Sequence, residues 1–580
     1  MVKRFLLLVS LSFIMNVPVR AEVGSQVLHS ACCDPEWELA VHLEKLKRKP
    51  NVLLIVMDDF GTGQFAPMVK DLELEDLDPG FLAYTDRLEE EFAYNKQAAL
   101  KAAKRAMPFM DELAEEGILF SQAFAGSNLC SPARQAILTA TSPARWGAYR
   151  NIDVNPVGLP QGSSLALIFQ EAGYRTGFFG KWHLGSKDPK LKESVLAAGG
   201  SEQDLLDAGY LGSAKWDHHP FNHGFGDYFG YNLWECPYYD SNLIWNNFHH
   251  IGNKHKYNTD LFTDKAIGFM QRSIKEELPF LVELAYHSIH IPLTEKAPEP
   301  YQIFDTGSPP VDLLYSHIYG VDVSVRRIVD MLKAHGEWEN TILFFTSDNG
   351  ATCKAGDGDL SLIPGNGAFR GHKGQMFLGG IRVPLLMVWP KEIKDGQVLD
   401  PVVSVMDIMP TALAAADLPF PDRTDGKSLL PLLEDPDATI HEHLFFAGIH
   451  AAAWGYSDQQ VIGHAQTRRN LSPGAWVMLD DENLLRFTGS LDAGLMKTEP
   501  EGRPAFYSLF NYKNDPLELN DLHDADLEKA RELKSAFGAI AAQLCEPQSW
   551  DRKRWAELVP GVQRSRGKGL NTPPGRSTGL

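Results

Sequence analysis

Cysteine is scarce in this sequence: six residues (Cys32, Cys33, Cys130, Cys236, Cys353 and Cys545) among 580. So few thiols in so long a chain do not make a disulfide framework, and no CxxC pair or His/Cys cluster offers a zinc site. Long apolar runs are lacking too. Phe5 to Ile14 is too short to cross a bilayer and no later segment is long and apolar enough, so no membrane span is expected. Positive charge is in deficit, with 55 Lys and Arg against 75 Asp and Glu and a net charge of −20. That balance argues against a nucleic-acid partner and against an anionic membrane surface. Internal repeats are absent.

What is present is enough apolar content, 44%, to bury a large core, and length for two or more structural units. At the N-terminus Lys3 and Arg4 precede the apolar run, and Val19-Arg20-Ala21 follows as a cleavage site. Residues 1–21 therefore read as a removable export signal, which predicts a secreted or periplasmic protein. Lipoprotein anchoring at Cys32 is disfavoured, because His29 stands where an aliphatic residue is wanted. The Gly-, Pro- and Arg-rich end, 561–580, is expected to be disordered.

Two segments share an informative pattern. Val52-Leu53-Leu54-Ile55-Val56-Met57 reads as a buried parallel strand and ends in Asp58-Asp59. Thr341-Ile342-Leu343-Phe344-Phe345-Thr346 repeats it and leads to Asp348-Asn349-Gly350. In open α/β sheets the functional crevice lies beyond the carboxyl ends of the strands, so these ends predict a hard-cation site. Three carboxylates and an amide oxygen suit calcium, with magnesium second and zinc disfavoured.

Cys130-Ser131-Pro132-Ala133-Arg134 marks the start of a predicted helix. Ser131 suits its cap and Pro132 its first turn. Cys130 and Arg134 would share one face at the positive end of the helix dipole, where a thiol's pKa falls and anions are favoured.

These residues, followed by Leu138-Thr139, resemble the C-x-P-x-R signature of the type I sulfatases. Four further segments resemble the same family in the same order: Asp58-Asp59 with the later Ser347-Asp348-Asn349-Gly350; Gly180-Lys181-Trp182-His183-Leu184-Gly185; His287-Ser288-Ile289-His290-Ile291-Pro292; and Arg370-Gly371-His372-Lys373-Gly374 with Gly379-Gly380-Ile381-Arg382-Val383-Pro384. The sequence departs from the family pattern at Ala133, usually Ser, at Ala140, usually Gly, and at Leu378, usually Glu.

The resemblance implies that a maturing enzyme oxidises Cys130 to formylglycine, and that calcium is held by Asp58, Asp59, Asp348, Asn349 and the modified Cys130. It implies that Arg134 holds the formylglycine hydrate and that Lys181 and His183 lie beside it, while His290 and Lys373 face the leaving group. A hydrate hydroxyl attacks sulfur, and the second hydroxyl lets His183 expel sulfate; a plain Ser or Cys lacks that route. With Cys130 converted, an odd five cysteines remain, so at least one thiol should be free.

The fold implied is α/β: a large mixed, mostly parallel sheet sandwiched by helices, as in alkaline phosphatase, with a smaller C-terminal antiparallel sheet and helix. The catalytic domain is expected over 48–435, with insertions at about 63–106 and 186–221, and the C-terminal subdomain over 436–560. Leu88 to Arg105 reads as one long surface helix. The substrate expected is a sulfated carbohydrate, with His219, Trp234, Tyr239, His287 and Arg370 as candidate contacts. The aromatic segment Tyr228 to His255, which also carries Tyr238, Trp245, His249 and His250, would suit stacking on sugar rings. Two alternatives stay open: a phosphodiester or phosphonate monoester hydrolase of the same superfamily, and a non-catalytic glycan-binding relative.

Overall fold

A computed structural model describes residues 49–252, 255–352, 365–421, 424–449, 473–488, 507–541, 543–545 and 548. The export signal, Cys32, Cys33, Cys353 and the 561–580 tail lie outside the described residues.

The apolar runs become the middle of a ten-stranded sheet. Its strands are β1 (Asn51–Met57), β2 (Ile118–Phe120), β4 (Arg175–Lys181), β5 (Asp227–Tyr231), β6 (Trp245–Asn246), β7 (His249–His250), β8 (Phe280–Ala285), β9 (Thr341–Ser347), β10 (Leu385–Val388) and β11 (Gln397–Leu399). The order across the sheet is β11-β2-β10-β9-β1-β8-β4-β5-β6-β7. From β9 to β5 every pairing is parallel, and antiparallel neighbours flank that block. Short β3 (Ala123–Phe124) pairs separately with β12 (Val403–Ser404).

The central strands are apolar on both faces because both are covered. Leu53, Ile55 and Met57 of β1 enter one core with the helices Asn258–Lys275 and Pro309–Ala334. Val52, Leu54 and Val56 enter the other, with the helices Cys130–Thr139 and Ile408–Ala415. Parallel β1, β9, β8 and β4 put their carboxyl ends on one edge, so Asp58, Asp348, His287 and Lys181 emerge side by side.

The 63–106 segment departs from the single long helix expected over 88–105. Two helices form, Pro79–Phe92 and Lys96–Ala103, separated where Ala93 takes a positive φ of 53°. Asn95 caps the second by accepting the Ala98 N–H at 2.8 Å. Its Ala99, Ala102 and Ala103 are buried in the core beside the helix Pro309–Ala334, because small side chains allow close helix approach. Segment 186–221 divides: in its helix Pro189–Ala197 no side chain is buried, whereas Ser213, His218 and His219 further along are buried.

A second sheet, β13 (Leu444–Ile449), β14 (Pro473–Leu479), β15 (Asn483–Thr488) and β16 (Tyr507–Asn511), is antiparallel in sequence order. Alternation divides its side chains. Trp476, Met478 and Leu485 face the helix Leu527–Ala541, where Trp476 and Phe537 stack with ring centroids 3.7 Å apart. Val477, Leu479 and Leu484 face Phe124, Met376 and Leu378 of the larger body. Among the described residues no helix is long and apolar enough to cross a membrane.

Candidate active site

Each predicted segment delivers its polar residue to the same edge of the large sheet. Asp58 and Asp59 follow β1, with Asp59 in the left-handed region at φ 60°. Asp348 follows β9 and accepts the Asp59 N–H at 3.2 Å. The Asp58 N–H donates to Ser288 O at 3.0 Å, which ties the 287–290 loop after β8 to the same corner. Lys181 closes β4, and preceding it is Gly180, φ 109°, where a Cβ would lie 1.8 Å from Ala285 O. Lys373 arrives on a loop fixed by its own N–H to Ala351 O and by Gly374 N–H to Asn128 O, both 2.9 Å.

Opposite charges meet here out of water. Lys181 Nζ is 2.6 Å from Asp58 Oδ2, Lys373 Nζ is 2.6 Å from Asp59 Oδ1, and Arg134 Nη2 is 2.8 Å from Asp348 Oδ2. All six side chains are at most 8% exposed. The Arg134–Asp348 approach is an ion pair without hydrogen-bond alignment, so both atoms keep unspent bonding capacity. Arg134 Nη1 donates to Lys181 O at 3.1 Å, and the buried guanidinium stays charged because Asp348 and Asp58 outweigh the cost of burial. Asn349 Nδ2 donates to Asp59 Oδ1 at 2.8 Å, while its Oδ1 has no partner among the described residues.

Cys130 Sγ lies 3.8 Å from Asp58 Oδ1 and 3.9 Å from Asp59 Oδ1. The lowered thiol pKa expected from the helix dipole is not what this site produces. Burial pushes Cys130 up to about 12, against the pull of Lys181 and Lys373, because desolvation of a thiolate outweighs a helix-end partial charge. Ser131 is not the cap either. The helix begins at Cys130 with Leu129 before it, and Ser131 uses its N–H on Asn151 and its hydroxyl on Asn155. At the far end Ala140 takes a positive φ of 50°, the conformation that Gly, usual at this position, adopts without strain.

His183 and His290 come from separate loops, after β4 and after β8. His183 Nε2 meets Asn155 Nδ2 at 3.3 Å; its Nδ1 has no partner among the described residues, and its pKa falls well below the ordinary value through burial and then Lys181. His290 Nε2 is 3.7 Å from Asp59 Oδ2, and its Nδ1 lies 2.6 Å from Ile291 O. His287 is wholly buried, with Nδ1 on Tyr231 Oη at 3.0 Å and 3.9 Å from Asp58 Oδ2.

The other candidate substrate contacts separate. His219 is buried against Tyr228, Phe221 and Phe248 and bonds Asn247 O at 3.1 Å. Arg370 donates to Glu518 O at 2.8 Å with Phe377 under its guanidinium. Tyr239 donates to Lys296 O, Tyr238 is buried on His317, and Trp245 donates to Gly209 O. Trp234 alone of the named tryptophans is prominent, at 47% exposed. Asn155, Tyr231 and Glu518 went unnoticed in the sequence, where an isolated polar residue outside any motif gives no signal.

The donors fit a metal ion. One ligand atom each from Asp58, Asp59, Cys130 and His290 lie within 4.8 Å of one another, and the unpartnered oxygens of Asp348 and Asn349 are buried at the same corner. An oxygen-dominated set of this kind suits a hard divalent cation.

Comparison with known proteins bears on the whole arrangement. The family model described as Sulfatase matches residues 50–418. An uncharacterized sulfatase, YdeN, of Escherichia coli K12 is 36% identical over 393 residues, covering 67% of this chain and 67% of that protein. An arylsulfatase of Hemicentrotus pulcherrimus is 30% identical, covering 69% of this chain and 64% of its own length. Among solved structures, Ps i-CgsB in complex with k-i-k-neocarrahexaose has the same fold, with a TM-score of 0.63 at 20% identity over 88% of this chain and 97% of that one.

Proposed function

Because the chain belongs to the sulfatase family and is a sulfuric ester hydrolase, we propose that it is exported and removes sulfate from a sulfated carbohydrate through a formylglycine made from Cys130. The observation that carries this reading is the convergence of Cys130, Arg134, Lys181 and Lys373 on three carboxylates at one strand edge. A sulfate monoester resists attack because its anionic oxygens repel nucleophiles, and a chain of net charge −20 adds to that repulsion. Buried local cations reverse it.

The metal is calcium, held by Asp58, Asp59, Asp348, Asn349 and the matured Cys130, and when bound it supplies positive charge against the ester oxygens. Maturation replaces a thiol that stays protonated with a hydrated aldehyde offering two hydroxyls. Arg134, anchored on Lys181 O, orients that group. Lys181 and Lys373 place charge beside the sulfate, and His290 with Lys373 serves the departing sugar oxygen. Neutral His183, oriented by Asn155, accepts the proton whose removal releases sulfate. Exposed Trp234 at the carboxyl end of β5 supports a sugar ring as the leaving portion.

The test pairs chemistry with substrate. Tryptic mass spectrometry of protein made with the maturing enzyme should find an aldehyde or its hydrate in the Cys130 peptide, and the same sample should release sulfate from defined sulfated sugars. Unmodified Cys130 in fully active enzyme overturns the formylglycine. Faster turnover of phosphodiester or phosphonate esters replaces the sulfate assignment with that of the related hydrolases.

A further inference from the structure

Beyond the cluster, the same strand edge carries a cation that the chemistry above leaves unused. β4 and β5 pair in parallel with Lys181 opposite Tyr231, so the segments leaving them run out of the crevice side by side. Lys187 stands on the first and Trp234 on the second. Asn232 stitches the two together, its Nδ2 donating to Gly185 O at 3.0 Å and to Ser213 O at 3.1 Å. His218 Nδ1 accepts the Ser186 N–H at 3.0 Å, and Asp188 N–H donates to Ser213 Oγ at 3.0 Å. The backbone on both sides of Lys187 is therefore fixed.

Lys187 itself is half-buried, and no carboxylate among the described residues pairs with it. Its neighbour Asp188 is turned away, accepting the Lys190 N–H at 2.9 Å as a helix cap. The ammonium hangs over Trp234 at 5.8 Å from the ring centroid, near the outer limit of about 6 Å for a cation–π contact. Burial without a counter-charge lowers the Lys187 pKa, and its charge is felt at His183. In a chain with twenty more acids than bases, an unpaired cation on a rigid support beside the site, over a tryptophan 47% exposed, has no folding role visible in its contacts.

We propose that Lys187 and Trp234 form a subsite for a second anionic group, a carboxylate or a sulfate, on the sugar next to the ring that carries the sulfate removed. The indole face receives that ring, and the weakly held ammonium moves onto the anion. This rests on the carbohydrate reading above and narrows it to polyanionic glycans.

Sulfate release is to be measured for the matured wild type, Lys187→Met and Trp234→Ala. The substrates are nitrophenyl sulfate and three sulfated disaccharides that are identical except for the neighbouring ring: neutral, carboxylate-bearing or sulfated. The wild type should prefer one of the two doubly anionic sugars over the neutral one. In Lys187→Met that preference, as a ratio of kcat/KM values, should fall about tenfold or more, through KM. Trp234→Ala should raise KM for all three sugars together. The anion whose preference collapses identifies the group. Added salt should erode the wild-type preference and leave Lys187→Met unaffected. A preference unchanged in Lys187→Met, or no preference in the wild type, overturns the subsite while leaving the carbohydrate reading intact. Turnover of nitrophenyl sulfate with none of any sugar overturns the carbohydrate reading, and the subsite with it.

Discussion

Two assemblies of buried charge lie in this protein, and they are built to opposite ends. At the strand edge, three cations and three carboxylates from five segments crowd together, with buried atoms that have no partner among the described residues: Arg134 Nε and Nη2, Asp348 Oδ2, Asn349 Oδ1, His183 Nδ1 and His287 Nε2. In the C-terminal sheet, Arg486 pairs with Glu518 between the rings of Phe377 and Phe510, and its Nη2 has no partner among the described residues. Glu518 also accepts the Leu378 N–H at 2.8 Å and, through its carbonyl, Arg370. Burying unspent polar atoms costs stability, so their concentration marks a place shaped for a ligand, whereas a nearly closed pair holds parts together. The second assembly also serves the first. It grips the chain at Arg370 and at Leu378, on either side of Lys373, and its carboxylate reaches the backbone where the family's usual Glu is replaced by Leu378.

The largest effect expected is on the functional side. Cys130→Ala should cut sulfate release by about 10⁴-fold or more, roughly 5 kcal/mol of barrier, because nothing else in the cluster can act as nucleophile. Its thermal midpoint should stay near wild type, since only one small side-chain atom is removed. Substantial residual activity would move Cys130 to the structural side of the comparison.

Next comes Glu518→Ala, which strands Arg486 in a buried site and should lower stability by about 3–5 kcal/mol in urea unfolding. Specific activity of the molecules that remain folded should suffer less, through the loosened Lys373 loop. An unfolding midpoint equal to wild type would show that the two aromatic faces suffice to hold the guanidinium.

Chelation should act more gently on stability than three facing carboxylates alone suggest, because Arg134, Lys181 and Lys373 balance them. Removing a cation present at a hundredfold its dissociation constant should cost about 2.7 kcal/mol in thermal unfolding and abolish turnover. Calcium should restore both better than zinc. Full activity after exhaustive chelation, with no metal found by elemental analysis, would refute the cation assignment.

The smallest effect separates orientation from chemistry. Asn155→Ala frees the His183 ring and should lower kcat about tenfold on any sulfate ester, with stability changed by no more than about 1 kcal/mol. A kcat that does not move would mean that His183 is oriented by its other neighbours.

Much of this architecture was legible before folding was considered. Buried parallel strands are apolar on both faces, so β1 and β9 read as unbroken runs, and the acids closing them follow from where such strands end. Reading failed where one local rule met a distant neighbour. The helix dipole suggested an acidified thiol, and burial reversed it. An alanine- and charge-rich stretch suggested a solvated helix, yet its alanines pack into the core. Nor did the motif around Arg370 announce that its guanidinium would donate to Glu518, 148 positions away.

The sequence by itself determined the strands, the order of the motifs and the kinds of side chain sent to the crevice, because periodicity and strand-end chemistry are local and survive without a partner. Only the tertiary structure decided which charges face each other, which are desolvated, and which, like Lys187, are left uncompensated. Coulomb energy and desolvation depend on distances and on the exclusion of water, and those are set by chain segments hundreds of residues apart.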